Sequence, residues 1–269
     1  MISRIPVTSA RSLPEAYAVL ADRPRGLRVL AGGTDLMVAV NAGIGVEQIG
    51  HVLDIWGLHE LRLIDVRNGV LRLGALITYS DLMFSPEIAE HFPALAAVSR
   101  EVGAWAIQNR GTLGGNICNA SPAGDTLPLL LAAEARFVMG GPRGQRTVPA
   151  DEFFVAYRKT ALGADELLLR VEVPLGGKLV YRKVGTRKAQ SISRTIIAVR
   201  KNGSAIRIGA GCVAPVPLRC RNAETAAEQG GDVRAALARD IAPIDDIRAT
   251  AVYRQRVTGN VLLRLLETL

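Results

Sequence analysis

Apolar positions along the chain change period several times, and each change marks an element. Ser12-Leu-Pro-Glu15 forms a capping box that opens a helix over about 13–21, and Arg23-Pro24 ends it. The apolar run Leu27-Arg-Val-Leu-Ala31 predicts a short buried strand that leads directly into Gly32-Gly33-Thr34. Residues 35–40 have helical character and stop at Asn41-Ala-Gly43, and a further strand follows at about 51–55. This β-loop-α-β unit, residues 1–53, reads as a first small subdomain.

From Asp54 the pattern shifts to strands near 61–65 and 70–76, joined by the hairpin signal Asn68-Gly69. Thr78-Tyr-Ser-Asp81 caps a short helix, and Phe92-Pro-Ala-Leu-Ala-Ala-Val-Ser99 starts a longer one. The loop 109–126 precedes an apolar run from Leu127 to Ala135, strands near 135–139 and 146–148, and the strand Leu167 to Val173. Pro174-Leu-Gly-Gly177 closes a second subdomain, 54–174. Residues 175–269 follow with strands near 179–184, 194–201 and 205–213, the last two joined by Asn202-Gly203. Helices near 223–239 and 246–268 complete that part, the second with Ile247, Ala251, Val261, Leu262, Leu265 and Leu266 on one face. Strands and helices mix without alternating, so the class is α+β, with a three-stranded antiparallel sheet plus helices at the C-terminal end.

Composition narrows the picture. Of 269 residues, 49% are hydrophobic and 22% charged, which fits a folded globular chain and not a disordered or collagenous one. No apolar run approaches the roughly 18 residues of a spanning helix, and the first residues lack a secretory pattern, so the expected location is cytoplasmic. Cys118, Cys212 and Cys220 have no C-x-x-C spacing, and His51, His59 and His91 no metal-binding spacing, so no metal site is expected. The net charge of +8 is unevenly placed: residues 1–174 carry −2 and residues 175–269 carry +10. No acidic residue lies between Glu172 and Glu224, where eleven Lys and Arg residues create a local positive field. Only Tyr181 interrupts that run as an aromatic, against a nucleic-acid groove.

Neither a Rossmann G-x-G-x-x-G after a strand nor a P-loop is present, but two other glycine loops stand out. Ala31-Gly-Gly-Thr-Asp35 lies between a strand and a helix, and in Thr112-Leu-Gly-Gly-Asn116 the second glycine is followed ten residues later by Asp125. Glycine amides and threonine hydroxyls suit a diphosphate, and a carboxylate suits a ribose diol, so the two loops together point to a dinucleotide held across two small units.

These loops, with Pro122, Asp125 and Pro128, the run Phe153-Phe-Val-Ala-Tyr-Arg-Lys-Thr160 and the run from Glu166 to Pro174, resemble the FAD-binding medium subunit of molybdenum hydroxylases. The resemblance, to relatives of xanthine dehydrogenase, carbon monoxide dehydrogenase and aldehyde oxidoreductase, spans about residue 5 to the C-terminus. It implies a PCMH-type two-part FAD-binding domain, 1–174, and a C-terminal flavoprotein domain, 175–269. By position it assigns Val29, Leu30, Ala31, Gly32, Gly33, Thr34, Asp35 and Leu36, with Thr112, Leu113, Gly114, Gly115 and Asn116, to the loops around the diphosphate. It assigns Asp125 to the ribose and Leu168 and Lys183 to the border of the isoalloxazine. Val102 stands where some relatives place an aromatic against the flavin, and Gly124 replaces a common Ser or Ala. The cysteine-rich insertion of the 4-hydroxybenzoyl-CoA reductase branch is missing, and no histidine near the first loop offers covalent attachment, so non-covalent FAD is expected.

The resemblance also implies electron transfer, with no catalytic residue in this chain. Molybdopterin and [2Fe-2S] centres reside in a large and a small partner subunit of a heterotrimer, and FAD passes electrons to an acceptor such as NAD+. Two other readings exist: a self-contained FAD-dependent reductase of the same fold, and a scaffold that has lost flavin. The intact loops argue against the scaffold, and the lack of a dedicated catalytic set argues against the reductase.

Overall fold

The computed structural model describes residues 5–187 and 190–269. Its strands form three principal sheets and one small hairpin. The first sheet is parallel, in the order β1-β3-β2, from β1 (Val7–Ser9), β2 (Leu27–Leu30) and β3 (His51–Asp54). Three-residue β1 has no readable alternation and was not among the expected strands. The helix Leu13–Asp22 starts where Ser12 accepts the Glu15 amide, while the Glu15 carboxylate takes the Arg11 amide.

The second sheet is antiparallel. It contains β4 (Ile64–Arg67), β5 (Val70–Gly74), β6 (Arg136–Gly141) and β7 (Gly144–Pro149). A two-strand hairpin, β8 (Phe154–Ala156) and β9 (Lys159–Thr160), precedes the sheet's fifth and central strand, β10 (Leu167–Pro174), and the order is β4-β5-β10-β6-β7. Asn68 and Gly69 both adopt positive φ, 52° and 73°, the geometry that a tight hairpin between β4 and β5 requires. Short helices, among them Tyr79–Phe84, Pro93–Ser99, Leu113–Asn119 and Leu127–Ala132, pack on this sheet around Leu73, Leu95, Leu113, Ile117 and Leu130. Phe137, Phe153 and Phe154 meet edge to face at centroid distances of 4.8–6.1 Å in the same core.

The third sheet has four strands, one more than expected: β11 (Lys178–Val184), β12 (Thr195–Asn202), β13 (Ala205–Gly211) and β14 (Leu218–Arg219), in that order and antiparallel. Two-residue β14 is too short to carry a periodic signal. The expected helix over 223–239 is two helices, Arg221–Gln229 and Val233–Asp240, because Gly230 closes the first in the left-handed region and Asp232 caps the second. The last helix runs Ala251–Leu266, and Ile247 lies outside it, almost fully exposed. Asp245 and Asp246 accept the amides of Ala251, Arg248 and Ala249, and the resulting turn takes Ile247 off the face that buries Leu262.

Part of the basic run is tied down within the fold. Arg200 donates to the carbonyls of Ala133, Pro174, Leu175 and Gly176, Arg207 pairs with Glu134 and Glu228, and Arg219 pairs with Glu224 and Glu134. Arg221 pairs with Asp151, Lys183 with Asp125, and Lys178 donates to the Thr268 carbonyl. Glu134, Asp151 and Asp125, from before position 175, thus pair with part of the run across a packed boundary; Lys188 lies outside the described residues.

Candidate functional site

β2 and β3 end side by side, with the Ile55 amide donating to the Leu30 carbonyl, so the first glycine loop leaves the carboxyl end of a parallel sheet. Ligands of parallel sheets bind at that end. Val29 is largely exposed there, Leu30 to Thr34 are half-buried, Asp35 is exposed, and Leu36 opens the helix Leu36–Asn41. Gly33 sits at φ +79°, and a Cβ on Gly32 would lie 1.8 Å from the Arg110 carbonyl oxygen. Glycine at both positions is therefore a backbone requirement. Among the described residues no acceptor takes the amide hydrogens of Gly32, Gly33 or Thr34. These three unspent donors line the first loop, a cradle at the carboxyl end of the sheet.

The second glycine pair lies inside the helix Leu113–Asn119, which Thr112 caps. Its amides are spent: Leu113 donates to Ile77, Gly114 to Ala75, Gly115 to the Thr112 hydroxyl and Asn116 to the Thr112 carbonyl, all within 3.0 Å. These four amides are thus engaged within the chain. Gly114 instead allows close packing, because a Cβ there would sit 2.6 Å from the Ala75 oxygen, and Leu113 is fully buried. Gly115 faces differently: a Cβ there would meet only the Thr112 hydroxyl, at 2.8 Å. Asn116 keeps its amide donors available while its Oδ1 accepts from the Thr126 hydroxyl at 2.8 Å. The two loops touch through Gly32 and Arg110, and through the Asn119 amide, which donates to Asp35 while Arg158 donates to the Asn119 oxygen.

Asp125, at the end of the second loop, meets the C-terminal part. Lys183 Nζ lies 2.7 Å from its Oδ2 and 3.1 Å from the Glu101 carbonyl, and the Ser193 hydroxyl donates to Oδ1 at 2.6 Å. Both ionic side chains are nearly covered, with 12% and 4% exposure. Burial holds the Asp125 carboxyl above its ordinary range, although Lys183 and Ser193 pull it down. Burial likewise raises the Glu101 carboxyl. The sequence assigned Asp125 and Lys183 to different ends of a ligand, whereas here they are each other's partners. Val102 is half-buried against the central core, and Leu168 is buried in it beside the β-bulge between Leu168 and Arg170. Tyr181, two residues before Lys183, has a hydroxyl without a partner, and burial pushes its phenol up.

Ser193, Asn119 and Arg110 are site residues the sequence did not single out. Ser193 is the one with a readable trace, as a small polar residue at the mouth of the apolar strand β12. His51 bonds to the Thr8 hydroxyl at 2.9 Å and is part of the first sheet's packing. Cys118 is half-buried and Cys212 buried, and desolvation pushes both thiols up to about 12.

Unspent amides at the carboxyl end of a parallel sheet suit an anionic ligand. Residues 3–176 match the family described as the FAD binding domain in molybdopterin dehydrogenase, and residues 180–269 match the CO dehydrogenase flavoprotein C-terminal domain. The chain is 31% identical to the carbon monoxide dehydrogenase medium chain of Hydrogenophaga pseudoflava, over 96% of this chain and 94% of that one. It is 31% identical to the xanthine dehydrogenase FAD-binding subunit of Escherichia coli O157:H7, over 91% and 89%. Its fold superposes on a solved carbon monoxide dehydrogenase from Hydrogenophaga pseudoflava with a TM-score of 0.89, 30% identity and coverage of 97% and 95%. The chain belongs to the FAD-binding medium subunits of the molybdenum hydroxylase and xanthine dehydrogenase family of oxidoreductases.

Proposed function

We propose that the chain is the electron-transfer subunit of a heterotrimeric molybdenum hydroxylase, receiving electrons from [2Fe-2S] clusters in a small partner subunit. A molybdopterin-bearing large subunit oxidises the substrate, and an acceptor such as NAD+ receives the electrons. The unspent amides of Gly32, Gly33 and Thr34 carry this reading, since a diphosphate satisfies three donors that no described residue accepts. Bound in the cradle, FAD supplies two-electron chemistry. The loop from Val29 to Leu36 positions the diphosphate, and the Gly115 face and the Asn116 amide leave it room and one further donor. Asp125 would hold a ribose diol, and Lys183, with Leu168 and Val102, would border the isoalloxazine. The boundary between a FAD-binding domain, 1–174, and a C-terminal domain, 175–269, is supported by the two family matches, which end at 176 and start at 180.

Acid precipitation of the native complex should release FAD, and the complex should contain two further chains bearing the iron-sulfur and molybdenum centres. Reduced complex reoxidised by NAD+ supports that acceptor. A colourless protein that takes up no added FAD defeats the whole reading, and a flavin-loaded monomer competent in turnover supports the self-contained reductase.

A further inference from the structure

Trp56 lies two residues past β3, at the same carboxyl edge of the parallel sheet from which the first glycine loop leaves. Two guanidinium groups stand over its indole, Arg62 at 4.2 Å and Arg110 at 3.7 Å from the ring centre. They are held differently. Arg62 spends its donors on the carbonyls of Leu76 and Trp56, so it ties the turn after β3 together. The Arg110 guanidinium makes no hydrogen bond or ion pair with any described residue, and its side chain is exposed.

An aromatic face attracts a cation but satisfies none of its N–H groups, so five donors in a planar fork remain available. The Arg110 main chain is at the same time the wall of the cradle, since its carbonyl is what forbids a side chain on Gly32. Two cations share one ring, and only Arg62 has acceptors and a nearby carboxylate, so among the described residues the Arg110 charge is unpaired. Burial and the neighbouring Arg110 charge both lower the Arg62 pKa, which the Asp81 carboxylate opposes.

We infer that Arg110, pre-oriented by Trp56, is a binding residue for the dinucleotide's diphosphate, placing a fixed guanidinium against the charge that the Gly32–Thr34 amides cradle. A guanidinium matches phosphate oxygens two at a time, and a flat aromatic support reduces the side-chain freedom lost on binding. The Trp56 stack is thus a positioning device, and Arg110 supplies the charge. This inference rests on the proposed flavin site and assigns a residue that the resemblance leaves out.

The test uses the full chain stripped of nucleotide and titrated with FAD, following flavin fluorescence at low and moderate salt, with ADP as a competitor that reports the diphosphate subsite without the flavin. Arg110→Met should raise the Kd for FAD about tenfold or more and flatten its salt dependence, and ADP should lose affinity in parallel. Arg110→Lys should recover the salt dependence and part of the affinity. Trp56→Leu, which keeps the cation and removes its support, should weaken FAD severalfold with the salt dependence intact. Thermal melting of each apoprotein separates a folding defect from a binding defect, and an Arg110→Gln variant repeats the charge removal with a side chain that stays polar. Wild-type Kd and salt slope in Arg110→Met and Arg110→Gln overturn the inference alone. A wild-type chain that binds no FAD overturns it together with the proposed function.

Discussion

The two glycine pairs share a threonine neighbour and a proposed ligand, yet they are used in opposite ways. In the first loop, at the sheet's carboxyl edge, the amides of Gly32, Gly33 and Thr34 are unspent among the described residues. In the second, every amide from Leu113 to Asn116 is taken by Ile77, Ala75 or Thr112. The difference follows from position. A loop leaving a parallel strand has no ladder partner for its amides, whereas a pair inside a capped helix start, pressed against the strand end at Ala75, finds acceptors nearby. Gly-Gly in a sequence therefore signals close approach of backbone, and the neighbouring elements decide whether a ligand or another strand does the approaching.

Substitutions at the glycines can break this contrast. Gly32→Ala should have the largest effect, because its Cβ would sit 1.8 Å from the Arg110 oxygen and neither backbone can move freely. A loss of about 3 kcal/mol or more is expected, read as a depressed Tm and an inability to retain FAD. Gly114→Ala should cost about 1–3 kcal/mol through its 2.6 Å approach to Ala75, while the fraction that folds binds FAD normally. Gly115→Ala should cost only about 1 kcal/mol by disturbing the Thr112 cap, yet weaken FAD. If Gly114→Ala and Gly115→Ala reduce FAD affinity of folded protein equally, the division between packing glycine and ligand-facing glycine is wrong.

At the far end of the second loop, Lys183→Met should lower the FAD midpoint potential, and a shift of 30 mV would be about 1.4 kcal/mol for this two-electron couple. Arg207→Met is the control, since Arg207 is paired with Glu134 and Glu228. Because Lys183 also compensates Asp125, the double variant Lys183→Met, Asp125→Asn sharpens the test: it should recover apoprotein stability without restoring the potential. Equal shifts from Lys183→Met and Arg207→Met would remove Lys183 from the flavin border.

The smallest expected effect concerns acid. Arg207, Arg219 and Arg200 hold the Glu134 carboxyl below its ordinary value of 4.5 against the opposing pull of burial. With the folded value depressed, its contribution is complete above the unfolded value and is lost as pH falls through the folded one. Glu134→Gln should therefore have a lower Tm than wild type at neutral pH, with the gap closing between roughly pH 5 and 3. A gap that persists at the acid end would mean that shape, not charge, holds this boundary.

Much of this was legible in the sequence. The capping signals at Ser12 and Thr78, the hairpin at Asn68-Gly69 and the strand Leu167 to Val173 all appear where local chemistry places them. Strands of two or three residues, β1 and β14, offer too few positions for a period and exist because a neighbouring strand supplies acceptors. The basic run misled for a related reason: composition counts charges along the chain, while Glu134 and Asp151 reach that run only after folding. Arg110 and Ser193 were illegible because a lone arginine or serine acquires meaning only from what lies across space, here Trp56 and Asp125.

The helix Leu127–Ala132 has a consequence for synthesis of the chain. Its leucines are completely buried in the central core, while its backbone lies against β13 so closely that a Cβ on Gly209 would come within 2.0 Å of the Pro128 oxygen. During translation this apolar turn emerges about eighty residues before the strand that covers it, a delay of about 4–16 s at roughly 5–20 residues per second. For that interval the face of the helix that β13 covers in the complete chain has no cover. Slower elongation lengthens the exposure, so yield of soluble subunit should depend on chaperone capacity during that window more than on the stability of the completed protein.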